Sequence, residues 1–101
     1  MIMKKRQGEN KEEATNGIVD ILKEARREMR ANLPLIRDEV EEIITLKEKN
    51  GARIEQHLDT LLGCMQMGIG EREFNMLNEY YKGIDKEGYE FYKKEYEKLY
   101  N

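Results

Sequence analysis

Apolar residues recur in steps of three and four along most of this chain, the spacing that puts them on one stripe of a helix. The longest run is Val40, Ile44, Ile54, Leu58, Leu61 and Met65, inside the stretch Leu33–Met65. Val40 and Ile54 lie two heptads apart, as do Ile44 and Leu58, so the phase is kept across Asn50-Gly51. That dipeptide is a turn signal. The preserved phase nevertheless favours one long central helix over about residues 34–67. Gly51 then costs about 1 kcal/mol relative to alanine, and Lys47 lays its stem along the seam with its charge in water. Gly68-Ile69-Gly70 ends this helix, because glycine accepts the left-handed conformation common at helix C-termini.

Shorter amphipathic pieces flank it. Residues 1–14 lack apolar periodicity and read as a flexible N-terminal tail ahead of a single helical domain, 15–101. A first helix starts at Asn10 or Asn16 and carries Ile18, Leu22, Ala25, Met29 and Leu33 as its buried stripe. Pro34 ends it, since proline disfavours helix in the residue before it and suits a helix's first turn. Beyond the glycines, a short helix over about Glu71 to Lys82 points Phe74, Leu77 and Tyr81 inward, with Gly83 as its stop. Asp85 is a strong N-cap for a last helix, and Ile84 and Tyr89 can form a hydrophobic staple around it. Tyr89, Tyr92, Tyr96 and Leu99 make that helix's stripe. The expected fold is all-α: a small bundle of a long central helix, an antiparallel N-terminal helix on its front half and a C-terminal helical hairpin on its back half.

Composition supports this and narrows the function. The 101 residues are 39% charged and 39% hydrophobic, with no tryptophan and one proline. Such a balance suits thin helices with one buried stripe, and the core is small. The formal net charge of −3 provides no global field for collecting nucleic acid. Lys4, Lys5 and Arg6 resemble the start of a signal peptide, but no apolar segment follows and no stretch approaches the length of a membrane span. The lone Cys64 forms no internal disulfide, so a cytoplasmic location is expected.

Catalytic chemistry finds little support. His57 and Cys64 are seven residues apart, about 10.5 Å along a helix, too far for a nucleophile pair and too few for a zinc site. Gly68-Ile69-Gly70 lacks the third glycine, the lysine and the preceding strand of a phosphate loop. No catalytic, cofactor or metal residue is assigned.

Two surface sets remain. Lys23, Arg26, Arg27 and Arg30 form a basic stripe on the first helix that could contact phosphates. The plainer expectation is that the hairpin brings Arg26 and Arg30 against Asp38 and Glu42. Those acids, with Glu39 and Glu41, would also complement the macrodipole at the central helix's start. The second set is aromatic: all six tyrosines fall within residues 80–100. Tyr81, Tyr89, Tyr92 and Tyr96 suit a core. Tyr80, Phe91 and Tyr100 are harder to bury there and, with Met67 and Met76, suggest a partner-binding face. The expected function is a non-enzymatic protein–protein interaction module, a small regulator or inhibitor with a protein partner or as a homo-oligomer. The alternative is a nucleic-acid-associated accessory protein using the basic stripe.

Overall fold

A computed structural model describes the backbone of residues 2–100 and the side chains of 17–100. The tail expected over residues 1–14 lies outside the described side chains. The fold is all-α, with four helices among the described residues: α1 (Ile2–Thr45), α2 (Gly51–Met65), α3 (Glu71–Lys82) and α4 (Lys86–Leu99). The molecule measures 66 × 27 × 19 Å. Its long axis is α1 itself, since 44 residues at 1.5 Å each span about 66 Å.

α1 begins at Ile2 rather than at Asn10 or Asn16, and two boundaries further along also differ from the sequence expectation. Pro34 does not end the first helix; it sits inside α1. The apolar stripe explains why, because Ile18, Leu22, Ala25, Met29, Leu33, Ile36, Val40 and Ile43 continue in steps of three and four straight through the proline. Pro34 and Arg30 are both exposed. The Arg30 carbonyl, deprived of its helical donor, therefore meets water rather than an apolar interior.

The second difference is at residues 46–50, where the expected central helix breaks. The Glu48 N–H donates to the Ile43 carbonyl at 3.0 Å and the Lys47 N–H to the Ile44 carbonyl at 3.2 Å. This is the paired closure of a Schellman motif, with Lys47 in the left-handed position (φ 53°). Lys47 therefore ends α1 instead of lying along a seam. Asn50 then caps α2, its side chain accepting from the Arg53 N–H at 3.3 Å. The heptad phase across the break reflects two helices facing one core, not one helix. An antiparallel helix pair does form, but from the last third of α1 with α2.

The other junctions are those the glycines and Asp85 imply. Gly68 (φ 76°) closes α2 and Gly70 (φ 90°) precedes α3. A Cβ on Gly70 would lie 3.0 Å from Leu61 Cδ2, so both backbone angle and space require glycine. Asp85 Oδ1 accepts from the Gly88 N–H at 3.0 Å, opening α4 and completing the C-terminal hairpin.

The core is built from Val40, Ile43, Ile54, Leu58, Leu61, Met65, Phe74, Leu77, Tyr81 and Tyr92. Ile43, rather than Ile44, joins Val40 as a fully buried residue of α1's last turns; Ile44 is half-buried. Glu73 is also buried and receives Arg37 Nε at 3.3 Å, tying α3 to α1.

Candidate interaction surface

α2 and α3 pack on the C-terminal part of α1, and α4 packs on α2 and α3, leaving the stripe of α1 uncovered toward the N-terminus. Ile18 is 60% exposed, Ile21 67%, Leu22 53% and Val19 43%. Ile18 and Leu22, expected to be buried, are thus at the surface. That expectation followed from a hairpin at Pro34, which does not exist. Further along, Ala25, Met29 and Leu33 are half-buried.

Where the covered and uncovered parts meet, the end of α2 comes alongside α1. A groove of about 440 Å³ opens there, lined by Val19, Leu22, Lys23, Arg26, Gln66 and Met67. It brings one member of the expected partner-binding set, Met67, together with two of the expected phosphate contacts, Lys23 and Arg26. Arg27 and Arg30 are exposed and continue the basic flank. At 3.6 residues per turn, Lys23, Arg26, Arg27 and Arg30 fall within an arc of about 100° on one side of the apolar stripe. Asp20, Glu24 and Glu28 continue around the polar back of the helix, with Asp20 three residues before Lys23 and Glu24 three before Arg27, whereas Arg26 and Arg30 have no acid three or four residues away.

The neutralising ion pairs expected for these cations are not formed. Arg26 and Asp38 lie on one helix, 12 residues and about 18 Å apart, as do Arg30 and Glu42. Asp38, Glu39, Glu41 and Glu42 accordingly occupy α1's C-terminal portion and complement no helix N-terminus. The four salt bridges among the described residues are Arg37–Glu73, Arg53–Glu48, His57–Glu39 and Lys98–Glu95. None involves the basic flank.

The other aromatic candidates do not join this groove's lining. The Tyr80 hydroxyl donates to the Glu48 carbonyl at 2.7 Å, and Met76 packs, like Tyr80, against the core. Phe91 and Tyr100 are exposed on and just beyond α4, each beside another ring: Phe91 edge-on to Tyr92 and Tyr100 tilted against Tyr96. Most tyrosine hydroxyls serve the fold. Tyr81 donates to Glu55, joining α3 to α2; Tyr92 donates to Asp59 at 2.8 Å, joining α4 to α2; Tyr96 donates to Glu71 at 2.5 Å, joining α4 to α3. Burial, reinforced by the Glu55 and Asp59 carboxylates respectively, pushes Tyr81 and Tyr92 well above the usual tyrosine range.

The remaining polar groups are engaged in the fold. His57 Nδ1 lies 2.9 Å from the Arg53 carbonyl within α2 and Nε2 contacts Glu39, so both ring nitrogens are occupied, the second of them tying α2 to α1. Cys64 is buried, which pushes its thiol up and keeps it protonated and unreactive. Among the described residues, no three His, Cys, Asp or Glu side chains converge as a metal site. A smaller cavity of about 160 Å³ between α3 and α4 is lined by residues including Phe74, Asn78, Tyr89 and Tyr96. Asn78 Oδ1, a buried side-chain acceptor there without a partner, is sealed from solvent. No described helix is long and apolar enough to cross a membrane. Neither a protein-family model, nor a curated protein, nor a solved structure matches this chain.

The sequence does not announce the groove, because a hairpin at Pro34 would place its apolar half in an internal interface. The usable clue is the phase of Ile18 to Ile43, which runs through Pro34 without a break. It signals one helix longer than the bundle that covers it.

Proposed function

We propose that this protein is a non-enzymatic interaction module, a small cytoplasmic regulator or inhibitor that acts by seating a macromolecular partner, or a second copy, on the N-terminal part of α1. The observation that carries this reading is the contiguous exposure of Ile18, Val19, Ile21 and Leu22 beside the Met67 groove. Fully burying one such side chain is worth about 1.5–3 kcal/mol, so covering this strip is a substantial driving force. Contiguous apolar surface of this kind marks association sites on soluble proteins.

The test is a crosslinked pull-down from source-cell lysate, run beside sedimentation of the purified chain. Replacing Ile18 and Leu22 by serine removes the strip without touching the buried core. The reading expects a recovered partner, or a self-associated species, that this variant loses. A monomer that recovers nothing, or the same recovery with the variant, contradicts it.

A second reading, nucleic-acid association, is favoured by a specific observation: Lys23, Arg26, Arg27 and Arg30 have no salt-bridge partner among the described residues. Four phosphate contacts would make binding strongly salt-dependent, with a log–log slope of roughly −3 to −4. Gel retardation at low salt that disappears when all four become alanine would support it. No retardation removes it.

A further inference from the structure

We infer that the occupant of the Val19–Met67 groove is an acidic amphipathic helix of a partner protein. This rests on the interaction-module reading and adds the chemistry of what binds.

Three features of the groove set that chemistry. Its apolar contacts come from Val19, Leu22 and Met67, so the occupant brings apolar side chains of its own. Lys23 and Arg26 share the lining, and exposed Arg27 and Arg30 extend the charge along the same flank. No carboxylate makes a salt bridge with these cations among the described residues; Asp20 and Glu24 stand one turn from Lys23 and Arg27 on the polar back, while Arg26 and Arg30, nearest the apolar stripe, have no acid three or four residues away. A carboxylate-bearing occupant therefore meets Lys23 and Arg26 in the groove and Arg30 beside it, with no acid in the groove's lining to repel it.

The backbone of the occupant follows from what the walls offer. Both walls are helices or helix ends, and the described residues contain no strand. There is thus no free sheet edge for an extended peptide to pair with, and no aromatic lining of the kind that grips a polyproline segment. The remaining common mode is a helix laid in a groove and anchored at i, i+3 or i+4, and i+7. Val19 to Arg26 spans about 10.5 Å at 1.5 Å per residue, the length of two turns of such a helix. A nucleic-acid backbone could use the cations but has no counterpart for Leu22 and Met67. An anionic membrane presents a flat face, which does not enter a groove between α1 and the end of α2.

The experiment is a resonance-by-resonance NMR titration of the full chain with four probes. The first is a helical peptide with leucine at i, i+3, i+4 and i+7 and glutamate on its flanks. The second is the same peptide with each glutamate replaced by lysine. A short DNA duplex and phosphatidylserine vesicles are the third and fourth. The proposal expects the glutamate peptide to shift Val19, Leu22, Arg26 and Met67 saturably, and salt to weaken it. Lys23→Glu with Arg26→Glu should lower its affinity about tenfold or more and turn the preference toward the lysine peptide. Unchanged Tyr81 and Tyr92 resonances will show that this variant keeps its core.

Equal or tighter binding of the lysine peptide to the unmodified chain overturns the acidic occupant but leaves the interaction module standing. Binding only of duplex or vesicles, carried by the four cations and indifferent to Leu22→Ser, overturns both in favour of a phosphate surface. No shift at these residues with any probe overturns the inferred occupant; the pull-down and sedimentation result then decides the module on its own.

Discussion

Replacing Pro34 with alanine should stabilise this protein, and the sign of the effect is decisive. In α1, Pro34 removes the N–H that would bond the Arg30 carbonyl and occupies a helix interior. The usual cost of that is about 3 kcal/mol relative to alanine. Two terms reduce the recoverable part. The site is exposed, so the Arg30 carbonyl is hydrated rather than stranded. Alanine also frees the unfolded chain, which offsets roughly 0.4–1 kcal/mol. A net gain of about 1–2.5 kcal/mol remains. Leu33 and Ile36 on either side pack against the core, so the gain registers in global unfolding and not in local fraying. For a domain of this size it corresponds to a rise in Tm of roughly 5–15 °C. Urea and thermal unfolding followed by far-UV circular dichroism give both numbers, with an unchanged m-value showing that the same surface unfolds. An unchanged or lower Tm would refute the reasoning. It would place Pro34 at the first position of a separate helix, where its missing N–H costs nothing and its fixed φ helps.

Three further outcomes test the packing. Gly88→Ala puts a Cβ 2.6 Å from Cε2 of the buried Tyr81 ring, and should destabilise by about 1–3 kcal/mol less the roughly 1 kcal/mol of helix propensity gained; an increase in stability would mean that Tyr81 yields freely. Lys47→Gly relieves a left-handed non-glycine residue at an exposed site and should add about 1 kcal/mol in chemical denaturation, whereas a loss would contradict the helix end assigned there. Tyr81 and Tyr92 are raised in the folded state, so their contribution is fully present below about pH 10, the unfolded tyrosine value, and is lost as pH rises through the folded values. Alkaline titration by tyrosinate absorbance should therefore show these two rings ionising last and together with loss of helix signal; all six ionising in one step with the fold intact would refute their placement.

The C-terminal half was legible because its signals are local. Gly68 and Gly70, the stop at Gly83 and the cap at Asp85 each act on the backbone within a few residues. Ile54, Leu58, Leu61 and Met65 were equally readable as the buried face of α2. The front half failed where local and periodic evidence disagreed. At Asn50-Gly51 the local turn signal was right and the phase misled, since any two helices facing one core bury stripes that can fall in register. At Pro34 the reverse holds: the local breaker was overridden by a stripe that packs Leu33, Ile36 and Val40 on the same surface. The candidate site depended on that second error, because an imagined hairpin buried Ile18 and Leu22 and neutralised Arg26 and Arg30. Among the aromatics, Phe91 and Tyr100 are exposed, as the sequence reading expects. The clustering of the tyrosines reflects hydroxyl–carboxylate ties among α2, α3 and α4.

The groove exists because α1 runs unbroken through Pro34 and so carries its apolar and basic faces clear of a covering helix. A spin-label distance between Asp20→Cys and Leu46→Cys tests this directly, with Cys64 buried and replaced by alanine as a precaution. Both labelled positions are exposed. A continuous helix over those 26 residue steps places the backbone sites about 39 Å apart. An antiparallel hairpin turning at Pro34 would bring them to roughly the 8–10 Å of packed helices. A single distribution near the long distance is the expected result, and a dominant short one would contradict the account.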